Sequence, residues 1–161
     1  MTLSPPKLSL SVQYAVPFEV APRAQVRRWV AACLQVLAQD YELSYNEVIL
    51  TLRFCDSQES QTLNFEYRDQ NKPTNVLTFA YGVAPDSQCL SADILVCVPV
   101  LYAEAEAQGK PVLHHTAHLC IHGVLHALGF DHIDEQEALE MEALEARILQ
   151  RFKIANPYTV N

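Results

Sequence analysis

Leu8, Leu10, Val12 and Tyr14 alternate with Ser9, Ser11 and Gln13, the period-two rhythm of a strand with one buried face. After Pro22 the rhythm changes. Val26, Trp29, Val30, Cys33 and Leu37 recur at three- and four-residue steps and predict an amphipathic helix. Alternation returns at Val48, Leu50, Leu52 and Phe54, a second strand. Ser57 is placed to cap a helix carrying Leu63 and Tyr67, and Pro73 is expected to stop it. Val76 to Tyr81 read as a third strand, residues 82–90 as a loop, and Ile94, Val96 and Val98 as a fourth strand ended by Pro99. Alanine-rich residues 100–108 predict a helix closed by Gly109, and Pro111 opens a long helix reaching Leu128. Asp134, with acids in the following turn, starts a last helix whose apolar positions Leu139, Leu144, Ile148 and Leu149 run on toward Phe152. Strands weighted early and helices late predict an α+β fold, a small mostly four-stranded sheet packed against helices.

The 161 residues are about one domain's worth of chain, so a single domain over 1–161 is expected. With four glycines and half the residues hydrophobic, there is no room for a long flexible or low-complexity segment. The start MTLSPPKLSLSV has no charged lead followed by an apolar run, and no stretch approaches the roughly eighteen apolar residues that span a bilayer. A soluble cytoplasmic protein without a membrane partner is the expectation. Cys33, Cys55, Cys89, Cys97 and Cys120 are odd in number, lack CxxC spacing and sit among apolar neighbours, as reduced core cysteines do.

A net charge of −8 argues at first against a nucleic-acid partner. The distribution of that charge weakens the objection. Seven of the acids (Asp131, Asp134, Glu135, Glu137, Glu140, Glu142 and Glu145) lie within 131–145, where there is no lysine or arginine, so the rest of the chain carries −8 + 7 = −1. The acidic stretch reads as a solvated helix face, and affinity for RNA has to come from a local site or a partner.

The chemistry concentrates in HGVLHALGFDH, where His122, His126 and His132 stand at relative positions 0, 4 and 10. On a helix, His122 and His126 share one face, one turn apart, so both rings can meet one cation. Gly129 can end that helix in a left-handed conformation and bring His132 back toward the same point. Three protein ligands and one open position are the catalytic arrangement of zinc, whereas structural zinc is closed by four ligands, usually including cysteine. The spacing matches the zinc-protease pattern HExxHxxGxxH except that Gly123 replaces the glutamate, the general base of peptide hydrolysis. A phosphodiester can instead be cleaved with the charge stabilisation of a cation and an arginine.

Other residues join the cluster less directly. His118 precedes His122 by one turn, and since 118 and 126 are about 12 Å apart along the helix, all three are not expected to bind one ion; a His118/His122 pair is the competing assignment, but it makes poor use of the glycine turn. His118 is therefore assigned behind the ligands or facing the substrate, with polar packing as the alternative. Asp131 is placed to orient an imidazole or solvent, or equally to cap the next turn. His114 and His115 are read as surface or edge residues. Arg68 lies before Pro73 in a connecting segment, where its planar fork suits phosphate, and where a solvated surface arginine is the alternative.

Taken together, these stretches resemble the YbeY family of bacterial rRNA maturation factors, also described as metal-dependent endoribonucleases. In HLCIHGVLHALGFDH, residues His118, His122, Gly123, Leu125, His126, Gly129, Asp131 and His132 fall where the family pattern places them, and YRDQNKPTNVLTF is similar to its YR...PTDVLSF segment. Asn75 stands where the family usually has aspartate, Thr78 where it has serine, and Ala92 where glycine commonly precedes the aspartate matched by Asp93. The resemblance implies a single Zn2+ on His122, His126 and His132 and a catalytic role for Arg68. It further implies a single-stranded RNA substrate at the 3′ end of small-subunit rRNA, work in ribosome quality control, and the ribosomal small subunit with its assembly factors as partners. Two other classes compete. A metalloprotease fits the spacing but not Gly123, and a non-catalytic, zinc-stabilised ribosome-assembly factor fits the acidic charge; peptide-library and RNA-cleavage assays separate them.

Overall fold

The computed structural model describes residues 4–131 and 133–159. Strands β1 (Lys7–Tyr14), β2 (Glu47–Cys55), β3 (Val76–Val83) and β4 (Cys89–Cys97) form one sheet in the order β1-β2-β4-β3. The β1/β2 and β2/β4 pairs are parallel, and β3 runs antiparallel to β4 as an edge. The helices are α1 (Arg23–Asp40), α2 (Ser57–Arg68), α3 (Val98–Gln108), α4 (Val112–Ala127) and α5 (Glu135–Gln150). This is the expected α+β fold, with α1 and α2 interleaved as the crossovers that parallel pairing requires.

The alternation seen in the sequence sets which face is covered. Val48, Leu50, Leu52 and Phe54 are almost fully buried in the main core, which joins the sheet to α1, α4 and α5 through Trp29, Leu34, Ile121, Leu125 and Ile148. Each such side chain is worth roughly 1.5–3 kcal/mol of burial. On the opposite face α2 covers one end, where Leu63 packs with Cys55, Leu77, Leu95 and Cys97. Beside it lies an open groove of about 540 Å³ lined by Thr51, Arg53, Tyr67, Phe79, Tyr81 and Asp93.

Several boundaries depart from the sequence reading. Asp56, not Ser57, caps α2, its Oδ1 accepting from the Glu59 N–H at 2.9 Å. That helix ends at Arg68 on a left-handed Asp69, well before Pro73, because Asn64 and Ser60 hold the following segment by bonds to the Lys72 carbonyl (2.9 Å) and to both the N–H (3.0 Å) and carbonyl (2.9 Å) of Thr74. The expected loop 82–90 is shorter in the structure, spanning 84–88: β3 continues past a bulge at Ala80/Gly82 to Val83, and β4 begins at Cys89. Pro99 lies in the first turn of α3 and opens that helix instead of merely ending a strand. As expected, Gly109 closes α3 at φ 64°, and Asp134 caps α5 by accepting from the Glu137 N–H at 2.8 Å. All five cysteines are free thiols, four buried and Cys89 half-buried. Among the described residues no helix is long and apolar enough to cross a membrane.

Candidate metal centre

Helix α4 is the middle of the molecule, packed against β3, β4, α1, α3 and α5. Ala117, Leu119, Cys120, Ile121, Val124 and Leu125 are buried along it, which leaves a stripe at four-residue steps, His114, His118, His122 and His126, as its half-buried line. The His122 and His126 ring centroids are 6.4 Å apart, and those of His118 and His122 are equally 6.4 Å apart. Spacing alone does not choose a ligand pair.

The hydrogen bonds distinguish the rings. Glu145, on the facing side of α5, is 1 % exposed and takes three donors: His118 Nε2 at 2.9 Å, His122 Nδ1 at 3.1 Å and the Tyr158 hydroxyl at 3.0 Å. Burial pushes the Glu145 carboxyl up, but the bonds and charges of His118 and His122 outweigh it and hold the group down at about 2. An ionised carboxylate only accepts, so His122 donates from Nδ1 and its Nε2 becomes the ring's lone-pair nitrogen whenever the ring is neutral. His118 donates from Nε2, while its Nδ1 is buried without a hydrogen-bond partner. Its polar edge is turned toward α5.

At the helix end, Gly129 adopts φ 106°, its N–H bonding the His126 carbonyl at 3.1 Å while the Phe130 N–H bonds Leu125 at 3.0 Å. The helix ends there on a positive-φ glycine, as expected, and Asp131 follows half-buried. His132 lies outside the described residues. Among the described residues no group of three or more His, Cys, Asp or Glu is arranged to hold a metal, so what the structure presents of the expected triad is the His122/His126 pair. These donors fit zinc: two imidazoles one turn apart, one of them backed by a carboxylate, as ligating histidines ordinarily are.

Gly123 explains the missing glutamate. A Cβ at this position would stand 2.8 Å from Ile94 Cγ2 and 3.2 Å from Val76 Cγ2, because α4 lies directly on the sheet there. The Thr78 hydroxyl reaches across to the Gly123 carbonyl at 3.3 Å. A side chain at this position would have to force helix and sheet apart, so the packing disfavours the carboxylate that serves as general base in the protease pattern.

Arg68 ends α2 with its side chain exposed. Gly123 packs on Ile94, Val76 and Thr78, whereas Leu63 of α2 packs on Leu77 and Leu95, so Arg68 and the histidine stripe belong to helices on opposite faces of the sheet. Tyr67 meets Phe79 of β3 edge-on, centroids 5.1 Å apart, which sets the end of α2 beside this edge strand. His115 is not a surface residue. It is 3 % exposed, and Glu104 of α3 pairs with its Nε2 at 2.9 Å, while Asn75 donates to the same carboxylate at 3.2 Å. Burial lowers the His115 pKa, with Glu104 pulling in the other direction. Glu145 is hidden in the acidic stretch. The signal that marks it is its place on α5, in step with buried Met141, Leu144, Ile148 and Leu149.

A sequence pattern described as Endoribonuclease YbeY matches residues 15–153. Endoribonuclease YbeY of Thiobacillus denitrificans is 46% identical over 155 residues, covering 95% of this chain and 97% of its own. Its counterpart in Bordetella pertussis is 49% identical over 152 residues, covering 94% and 96%. The solution structure of TM1509 from Thermotoga maritima superposes with a TM-score of 0.56 at 16% identity, over 94% of this chain and 100% of that one, a likeness of fold alone.

Proposed function

Because this chain belongs to the endoribonuclease YbeY family, a family of hydrolytic nucleases, we propose that it is a zinc-dependent, single-strand-specific endoribonuclease. Its substrate in this proposal is rRNA precursor at the 3′ end of the small-subunit RNA, handled in the cytoplasm with the ribosomal small subunit and its assembly factors, in maturation and ribosome quality control. The observation that carries the reading is the His122/His126 pair on α4 with Glu145 behind it. His122 and His126, with His132, are the residues that hold the ion. When bound, zinc supplies Lewis acidity toward a phosphate oxygen and acidifies water toward a pKa of about 7. Arg68 offers its guanidinium fork to the oxygens of the phosphate backbone, permanently charged and exposed. Asp131 and His118 sit behind or beside the ligands.

The separation of Arg68 from the histidines by edge strand β3 favours a flexible substrate. A single strand can follow a bent path around that edge, whereas a duplex is stiff over such lengths. Net charge of −8 keeps long-range attraction to RNA weak, so affinity comes from this local arrangement and from partners. A cleavage assay on matched single-stranded and duplex RNA tests the proposal. Single strands are cut, a chelator stops the reaction and added zinc restores it; cleavage indifferent to metal removal overturns it.

A further inference from the structure

Among the described residues, Glu145 is the one carboxylate of the acidic stretch that the fold takes out of water. It sits on the α5 face formed by Met141, Leu144, Ile148 and Leu149, all buried. A carboxylate in such surroundings loses several kcal/mol of hydration, and an apolar side chain of similar size would commonly stabilise the fold as well or better. Stability alone does not account for an acid there. What the fold provides instead is a complete set of donors. Tyr158, beyond the end of α5, reaches back to both carboxylate oxygens at 3.0 Å, and its own N–H is held by Asn156 Oδ1 at 2.9 Å. His118 bonds Oε1 and meets the Tyr158 ring edge-on at 5.5 Å. The oxygen shared by His118 and Tyr158 is the one that receives His122 Nδ1.

From this arrangement we infer that Glu145, clamped by His118 and Tyr158, is a positioning residue that fixes the His122 ring with Nδ1–H inward and Nε2 turned to ligate. The inference rests on the zinc reading above and adds a part that the ligand spacing does not contain. An imidazole on a helix face can rotate and can carry its proton on either nitrogen. An anchored acceptor behind Nδ1 removes both freedoms before the ion arrives, and it makes the ring a better donor to the metal. His118 thereby acts through Glu145 and not as a ligand.

Zinc affinity is measured by chelator competition for wild type, Glu145→Gln, Tyr158→Phe and His126→Ala, each checked for folding in the metal-free state. The His122 tautomer is read by nitrogen NMR of the metal-free wild type and of Glu145→Gln, above the imidazole titration range. Glu145→Gln should weaken zinc roughly 10- to 100-fold, the range seen when such supporting groups are lost. Tyr158→Phe, which leaves the carboxylate in place, should weaken it less. In wild type the His122 proton should reside on Nδ1, and in Glu145→Gln that preference should fade. A purely structural Glu145 would change the melting temperature but neither the affinity nor the tautomer. Unchanged zinc affinity in Glu145→Gln beside a weakened His126→Ala overturns the positioning role and leaves the metal site standing. Zinc bound as tightly by His126→Ala as by wild type brings down the metal reading itself. Should Glu145→Gln not fold, an Nε2–H tautomer of His122 in wild type is enough to refute the inference.

Discussion

Replacing Gly123 by alanine tests how closely α4 lies on the sheet. In a helix interior the exchange ordinarily gains about 1 kcal/mol, since glycine loses the most backbone freedom on folding. Here the new methyl would lie 2.8 Å from Ile94 Cγ2 and 3.2 Å from Val76 Cγ2, against an optimum of about 3.5–4.0 Å for carbon pairs. Both neighbours are β-branched, and the methyls concerned are attached directly to Cβ, so neither can swing aside. Ile94 is 1 % exposed on β4, which is paired on both sides by β2 and β3. Relief therefore requires lifting α4, and overpacking of this kind costs roughly 1–3 kcal/mol. With two methyls in the way the upper half of that range applies, and the net expectation after the helix gain is a loss of about 1–2 kcal/mol, or a melting temperature lower by about 2–8 °C. Urea unfolding and thermal melts of the two metal-free proteins measure it. An alanine variant as stable as wild type, or more so, refutes the close helix–sheet contact and with it the packing argument against a glutamate at this position.

Other consequences are open to direct measurement. Arg68→Ala should lower kcat/KM on single-stranded RNA roughly 10- to 100-fold, chiefly through KM, as loss of one charge-assisted phosphate-backbone contact does, while the exposed position leaves the melting temperature unchanged; undiminished cleavage removes Arg68 from the RNA path. For His115 the folded pKa lies below its ordinary 6.5, so the unfolded chain binds the proton first and stability falls as pH drops from 6.5 toward the folded value. His115→Gln should flatten that part of the pH dependence, and an unaltered slope would show that His115 does not contribute it. Thiol titration with a disulfide reagent should find Cys89 reactive in the native protein and all five cysteines reactive in denaturant, because the other four are buried and none is bridged.

The sequence carries most of the framework because one face of the sheet is fully covered. Val48, Leu50, Leu52 and Phe54 alternate cleanly for that reason, and so the strand shows. β4 is legible only from Ile94 because its first half, with Cys89, Ser91 and Ala92, holds small and polar residues. Gly82 looks like a loop but, at φ 73°, borders the bulge past which β3 continues. The proposed metal pair is legible because HxxxH and the turn glycine are local features. Glu145 and His115 are not, since their roles come from partners on other helices: Glu145 meets His122 from α5, and His115 pairs with Glu104 of α3. Counting charge over a segment conceals that one member of the acidic run lies on its apolar face. His115 falls outside the ligand spacing and so resembles a surface residue until its partner on α3 is in view.

In the proposed reaction His122 and His126 hold the ion on which RNA cleavage depends. Zinc content and cleavage of single-stranded RNA, determined together for wild type and His126→Ala, address it most directly. Wild type should carry zinc and cleave, and a folded His126→Ala protein should lose both; full cleavage by zinc-free His126→Ala protein would show that the pair holds no ion the reaction needs.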